Sequence, residues 1–318
     1  MREVIHYLLR RIFFIIVSLF VASIIVFMVT QLLPGDVAQM ILGQFSTPEA
    51  LDELRRTLGL YDPFHIRYLD WMSGILRGEL GISLSIEGIG IADLLLQRAR
   101  NSLFLAGCAS IFLIPISLFI GTIAGLKRDT WVDKFLSLVT ITAISVPEFA
   151  SGIFLILLFS LTLNFLPSAS NIDPTGSLFK HLPHLILPIL TLSLVFLGYI
   201  ARMMRASVIE VSSSNYVRTA VLKGLSDAQV IWKHVFRNAL LPSVTVIAMN
   251  IGFFIGGLIV VETVFAYPGL GSLLLFAINQ RDVPLIQATV LFVFAAYMLL
   301  NLVADLLYMF LNPRIRYT

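Results

Sequence analysis

The residues of this chain best suited to chemistry form a polar, basic island between two apolar runs: Ser212-Ser213-Ser214-Asn215-Tyr216-Val217-Arg218-Thr219-Ala220-Val221-Leu222-Lys223-Gly224-Leu225-Ser226-Asp227-Ala228-Gln229. That chemistry is capping and docking, not bond breaking. Residues 216–223 predict a short helix, and Gly224 can take the left-handed conformation that ends it. Ser226, with Gln229 three positions on, predicts a capping box that opens a second helix. A helical knuckle between two spans reads as a docking surface; a solvated loop that merely reverses the chain is the plainer alternative.

The next candidate is a single carboxylate. Glu148 follows Pro147 in Ile144-Ser145-Val146-Pro147-Glu148-Phe149, inside a long apolar run. Counted from Lys134 at about 1.5 Å per residue, it lies roughly 20 Å into a hydrocarbon core ~30 Å thick. A carboxylate there costs at least ~2.5 kcal/mol, and Pro147 removes a helix donor and kinks the span. The expectation is that Glu148, beside Pro147, faces a translocation path and attracts a cationic solute group. The alternative is a protonated or neighbour-paired acid between helices. Asn250 shares a run with Gly252, Gly256 and Gly257, whose small residues let helices approach closely; it is a further path candidate on a face suited to helix packing. Glu262 and the turn Tyr267-Pro268-Gly269 fall where an apolar run meets the opposite surface. They are candidates for contact with an external partner, or for a structural bond between the glutamate and the turn. Asp305, with Asn301 and Tyr308 near helical spacing, predicts a helix–helix hydrogen bond. His181 and His184 are separated by Pro183, and no metal site is expected from them.

Composition bounds the function. The chain is 58% hydrophobic and 13% charged, against roughly 25% charged in soluble domains. An ordinary globular domain and a nucleic-acid binder are excluded. The net charge of +3 is small; where the charges sit matters more. Cys108 is the one cysteine, so no intrachain disulfide can form, and no Cys/His cluster has zinc spacing. No Gly-rich loop followed by Lys and Ser/Thr is present, so no nucleotide site of its own and no enzymatic activity are expected.

The elements that position these residues are membrane spans. Six uncharged or nearly uncharged runs approach the ~20 residues a bilayer needs: about 12–33, 102–126, 135–163, 185–200, 240–261 and 285–311, the fourth being the shortest. The first follows a basic start, exceeds a signal h-region and lacks a cleavage site, so it reads as a retained anchor. Arg2, Arg10, Arg11, Lys127, Arg128, Lys134, Arg202, Arg205, Arg218, Lys223, Lys233, Arg237, Arg314 and Arg316 fall on one side if both termini are cytoplasmic. The long first connection is then external. It holds Thr47-Pro48-Glu49, an N-cap with proline at the first helical position, and an amphipathic helix closed by Gly59. Asp62-Pro63 opens a second helical segment with Tyr68, Trp71 and Met72, aromatics suited to an interface. This cap could meet an external partner or seal the bundle. Residues 164–183 should be irregular, and the apolar stretch 272–278 could dip back along the membrane. The expected fold is an all-α polytopic membrane bundle of six transmembrane helices. Its first part, 1–100, holds the anchor and the external cap. Its second, 101–313, holds five helices and the knuckle at about 212–238.

The island resembles the cytoplasmic coupling loop of ABC importer permeases of the dipeptide/oligopeptide/nickel family. The resemblance rests on Tyr216-Val217-Arg218-Thr219-Ala220, Lys223-Gly224-Leu225-Ser226 and Arg237-Asn238-Ala239-Leu240-Leu241-Pro242. The general importer pattern is Glu-Ala-Ala, three residues, Gly. Arg218-Thr219-Ala220 stand at the first three positions, and the missing acid is typical of the peptide-type subfamily. Val261-Glu262-Thr263-Val264-Phe265-Ala266-Tyr267-Pro268-Gly269-Leu270-Gly271, Leu33-Pro34-Gly35-Asp36 and the tail Asp305-Leu306-Leu307-Tyr308 with Asn312-Pro313-Arg314-Ile315-Arg316 extend it over nearly the whole chain. The resemblance implies the type I importer permease fold in a bacterial or archaeal plasma (inner) membrane. It implies a second related permease, two cytoplasmic ABC ATPases that use ATP and Mg, and an external solute-binding protein. It places ATPase coupling on Tyr216, Arg218, Thr219, Ala220, Gly224, Leu225, Ser226 and Asp227. The implied solutes are dipeptides or oligopeptides, with nickel chelates, glutathione or opines as family alternatives. From a different class, a secondary transporter or channel would also show six spans and an intramembrane acid, but usually with internal repeats, and none are visible. An intramembrane protease would need paired acids, a Ser/His set or metal ligands within the spans, and none are so arranged.

Overall fold

The computed structural model describes residues 2–32, 38, 42, 47–57, 59–86, 88–170 and 182–311. The Leu33-Pro34-Gly35-Asp36 segment, His181 and the tail from Asn312 lie outside the described residues. The described chain is helical nearly throughout. In order it forms α1 (Arg2–Gln31), α2 (Pro48–Thr57), α3 (Phe64–Arg77), α4 (Ile91–Leu126), α5 (Trp131–Ser145) and α6 (Glu148–Leu155), which runs into a π-helical turn, Ile156–Thr162. There follow α7 (Leu182–Ser212), α8 (Asn215–Leu222), α9 (Asp227–Gln229) with a π-helical turn Val230–Phe236, α10 (Arg237–Val264), α11 (Leu270–Asn279) and α12 (Val283–Leu311). Four helices are long and apolar enough to cross a membrane: His6–Gln31, Ile91–Leu126, Leu182–Ser212 and Val283–Leu306. The pair α5 and α6 would make a fifth, and the 28-residue α10 occupies the place of the remaining expected span.

Two expectations change here. The run 135–163 is not a single gently kinked helix: α5 and the helix from Glu148 to Thr162 meet at 107°. Val146 is extended before Pro147, as the residue preceding proline tends to be. The depth of Glu148 counted along a straight helix therefore does not hold. The fourth span is also not short. It continues through Arg202 and Arg205 to Ser212 and is the most thoroughly buried helix, carrying Leu185, Leu192, Phe196, Met204 and Val208 inward.

By contacts the chain divides into two compact units. The first joins residues 1–101 to 269–298, so the stretch after the Tyr267 turn groups with the N-terminal part. Its core packs Ile91, Leu94 and Leu95 against Leu273, Ala277, Leu285 and Ile286. Asp282, fully buried, accepts hydrogen bonds from Ser83 Oγ (2.6 Å), Leu84 N (2.8 Å), Ser85 N (3.0 Å) and Leu285 N (3.2 Å). One carboxylate thus ties the 83–85 loop to the start of α12. In the cap, Thr47 and Pro48 begin α2, and Gly59 (φ 63°) ends it. The aromatics of α3 pack on α1: the Phe27 ring lies 5.1–5.5 Å from those of Phe64, Tyr68 and Trp71, and Ser23 Oγ is 2.8 Å from the Tyr68 hydroxyl.

The second unit, residues 102–268 with 299–318, is built around α7. Glycines set its closest approaches. A Cβ on Gly121 would lie 2.4 Å from Ala201 O, and one on Gly125 2.7 Å from the Val208 side chain. A Cβ on Gly198 would lie 2.5 Å from Thr140 O. Moving from Gly121 to Gly125 advances the contact from Ala201 to Val208, so α4 and α7 run parallel. α5 runs antiparallel to α7. The end of α4, the start of α5 and the end of α7 therefore share one side.

Candidate functional site

The knuckle is a helix standing on its own small core. α8 sends Val217 and Ala220 inward onto Met204, Val208, Val230, Val235 and Ala239. Its end is a Schellman closure. Gly224, at φ 77°, donates to Val221 O (2.9 Å), and Leu225 N donates to Ala220 O (3.4 Å). No atom lies within 4 Å of a Cβ built on Gly224, so glycine is required there by conformation and not by space. Ser226 then precedes α9, and its N–H donates to Gln229 Oε1 at 3.3 Å. Facing away from that core, Arg218, Thr219, Gly224, Ser226 and Asp227 are exposed. So are Tyr216 (44%), Val221, Leu222 (79%), Leu225 and Trp232. Of the eight coupling candidates, Ala220 alone is buried, and it belongs to the support. Arg218, Lys223, Lys233 and Arg237, interspersed among them in sequence, are exposed as well.

Glu148 occupies the corner of the 107° bend as the first residue of α6. Carboxylate is favoured at a helix N-terminus by the helix dipole. Its Oε1 would be 3.4 Å from a Cβ on Gly257, whose other neighbours are Leu192 and Phe196 at 3.4 and 3.7 Å. Gly257 thus leaves room on α10 for the carboxylate, which is half-buried against apolar side chains. No hydrogen-bond donor or cation reaches it among the described residues. Pro147 is exposed beside it. Asn250, two helical turns from Gly257 on the same face of α10, is half-buried and donates to Val246 O at 2.8 Å.

The turn after α10 is interior. Glu262 and Tyr267 are fully buried, and Pro268 and Gly269 are buried as well. Ser102 Oγ donates to Glu262 Oε1 at 2.5 Å, and Tyr267 N donates to Glu262 O at 2.8 Å. Burial, and then the neighbouring Glu262 charge, push the Tyr267 phenol up from its ordinary value. Glu262 is thus bonded to the turn through Tyr267, the structural alternative read from the sequence. His184 is also structural: its Nδ1 lies 3.0 Å from Ala169 O, and its carbonyl accepts from Ser170 Oγ.

One constellation went unread in the sequence. Asp133, 2% exposed, receives a two-pronged contact from Arg205: Nε to Oδ1 at 2.6 Å and Nη2 to Oδ2 at 2.7 Å. Asp129 N (2.9 Å) and Ser137 Oγ (3.2 Å) donate to the same carboxylate. The available signal was an arginine inside a helix that must cross a membrane, which demands a partner.

Two family comparisons and several relatives bear on this arrangement. Residues 117–317 match the family described as "Binding-protein-dependent transport system inner membrane component", and residues 4–85 match its companion N-terminal family. The chain is 36% identical over 312 residues to the glutathione transport system permease protein GsiC of Shigella flexneri serotype 5b (strain 8401). It is equally identical to the proteins of that name from Escherichia coli (strain K12) and Shigella dysenteriae serotype 1 (strain Sd197). In each case the match covers 98% of this chain and 99% of the relative.

Proposed function

The chain belongs to the inner-membrane components of binding-protein-dependent transport systems, and from that premise we propose that the knuckle 212–238 is where a cytoplasmic ABC ATPase docks and drives it. The protein is a multi-pass permease subunit of an ABC importer of the dipeptide/oligopeptide/nickel type, not an enzyme. Its family works with an ATPase and a solute-binding protein. In our reading there are two ATPases, which supply all nucleotide chemistry with ATP and Mg, and a second, homologous permease completes a heterodimer around the pathway. In the same reading six spans leave both termini on one side, and the lysines and arginines of the connections argue that this side, with the knuckle, is cytoplasmic.

The observation that carries this reading is the face of α8. An eight-residue helix is supported by Val217 and Ala220, yet presents Tyr216, Val221 and Leu222 to solvent, in a stretch whose lysines and arginines are also exposed. Exposed apolar side chains on a capped, supported helix are what an α-helix-in-groove interface needs. ATP binding would close the two ATPases, displace α8 as one body and switch the open side of the permease pair. The relatives' names support glutathione or another short peptide as the solute. Glu148, a carboxylate without a partner at a helix corner, is the residue we assign to the path, with Pro147 making the corner and Asn250 further along the same face. The test is copurification from detergent of the complete transporter. Leu222→Glu should lose the ATPase by at least about tenfold, an effect of ~1.4 kcal/mol or more at a buried hot spot, while the second permease is retained. Retention of the ATPase at wild-type levels would refute the docking face.

A further inference from the structure

We infer that the Arg205–Asp133 pair is the strut that carries movement of the knuckle to the corner holding Glu148; the inference rests on the importer reading above. α5 and α7 are antiparallel and meet at two tied points. One is the ion pair at Asp133 and Arg205. The other lies seven residues further along each helix, about 10 Å away, where Gly198 sits against Thr140 O and Ile144. The glycine contact is close but holds no N–H or O–H hydrogen bond to fix direction, so alone it is a fulcrum about which α5 can turn. The forked guanidinium–carboxylate contact fixes direction as well as distance, and it removes that freedom.

Each end of this arrangement is attached to something that matters. Arg205 lies between Met204 and Val208 of α7, which form the core under α8 together with Val217 and Ala220. The same stretch of α7 also meets α4, where Arg205 O and Val208 crowd Gly125. Asp133 is in the first turn of α5, held by Asp129 N and Ser137 Oγ. α5 ends at Ser145, directly before the bend and Glu148. A displacement of α8 therefore moves the end of α7. With the pair intact, α5 follows as a lever and its far end moves at the corner. With the pair absent, α5 pivots at Gly198 and the corner stays where it is. In this inference both act as positioning residues, through the helices that their contact joins.

The experiment reads the far end of the lever in the purified complete transporter, with ATPases and second permease present. Ser145→Cys is exposed and lies at the end of α5; Cys108→Ser removes the other thiol. The reaction rate of Ser145→Cys with a water-soluble maleimide is measured with and without ATP. With Asp133 and Arg205 in place, ATP should change that rate by about fivefold or more, the scale of a coupled two-state element. The double change Asp133→Asn with Arg205→Gln removes both charges together, so no buried charge is stranded and assembly is preserved. In it the ATP response should disappear while the ATPase still copurifies. Exchanging the pair, Asp133→Arg with Arg205→Asp, should restore part of the response, which a merely structural contact replaced by other packing would not require. An undiminished ATP response in the double neutral variant overturns the strut, as does a wild-type pair with no ATP response. Failure of any ATPase to copurify with the wild-type chain overturns the importer reading instead, and the strut with it.

Discussion

Gly198→Ala tests the packing around α7 most directly. The added methyl would stand 2.4 Å from Ile144 Cγ1 and 2.5 Å from Thr140 O, against ordinary carbon contacts of about 3.5–4.0 Å. The Ile144 side chain can turn aside. The Thr140 carbonyl cannot, because it belongs to the backbone of α5, so the two helices must separate by about 1 Å. Overpacking of this kind costs typically ~1–3 kcal/mol, partly offset by the better helix propensity of alanine, about 1 kcal/mol. That leaves a net cost of up to ~2 kcal/mol, and near 2–4 °C per kcal/mol for a large domain the apparent melting temperature in detergent should fall by up to roughly 8 °C. Gly107→Ala in α4 is the control. No atom lies within 4 Å of its Cβ position, so alanine adds propensity without a clash, and the melting temperature should hold or rise slightly. Equal behaviour of the two variants would refute the claim that Gly198 is glycine for lack of space, and with it the α5–α7 contact used above.

Two further outcomes follow from the same geometry. Ser102→Ala deprives the buried Glu262 carboxylate of a short hydrogen bond; a bond to a charged group contributes about 1.5–3 kcal/mol, so thermal unfolding should shift downward clearly, while a knuckle-directed ATPase pull-down stays unchanged. Glu148→Gln keeps the shape of the corner and removes its charge, so the assembled transporter should keep ATP hydrolysis but lose uptake of solutes bearing a free ammonium group by about tenfold, the value of ~1.4 kcal/mol of differential binding; unchanged uptake and unchanged solute preference would remove Glu148 from the path.

Local chemistry was the most legible part of the sequence. The knuckle could be read because each feature is enforced within a few residues: Gly224 supplies a positive φ at the end of α8, and Gln229 reaches back to Ser226 N. The cap helices opened at Thr47-Pro48 and Pro63 for the same reason, with proline and N-cap preferences acting inside one turn. The resemblance to importer permeases rests on the knuckle and on the blocks at 33–36, 237–242, 261–271 and 305–316, and the family matches agree with it. Chemistry that depends on residues far apart was less readable. Asp282 binding the 83–85 loop joins positions nearly 200 apart. Glu262 and the Tyr267 turn suggested an outer surface because a charge at the end of an apolar run usually faces water, yet Ser102, from another helix, supplies the bond that lets the glutamate stay buried.

The misjudged length of α7 has the same origin and shows what a hydropathy count misses. The apolar run 185–200 stops where charge begins, at Arg202, and by hydropathy alone it is the shortest span. A charge ends a span only if nothing compensates it. Arg205 is compensated by Asp133, and its helix neighbours Met204 and Val208 bury themselves against α4 and α8. The helix therefore runs on to Ser212 and carries the knuckle at its end. The pair of glycines at 121 and 125 was a readable sign of this, since small residues four apart mark a face where another helix comes close. Taken together, an arginine late in a span, an acid at the start of the preceding one and a small-residue face on the one before that specify three helices clamped at one end. On the docking reading proposed above, that end is where force would enter, so residues that hydropathy treats as interruptions are the ones that would tie α4, α5 and α7 to the knuckle.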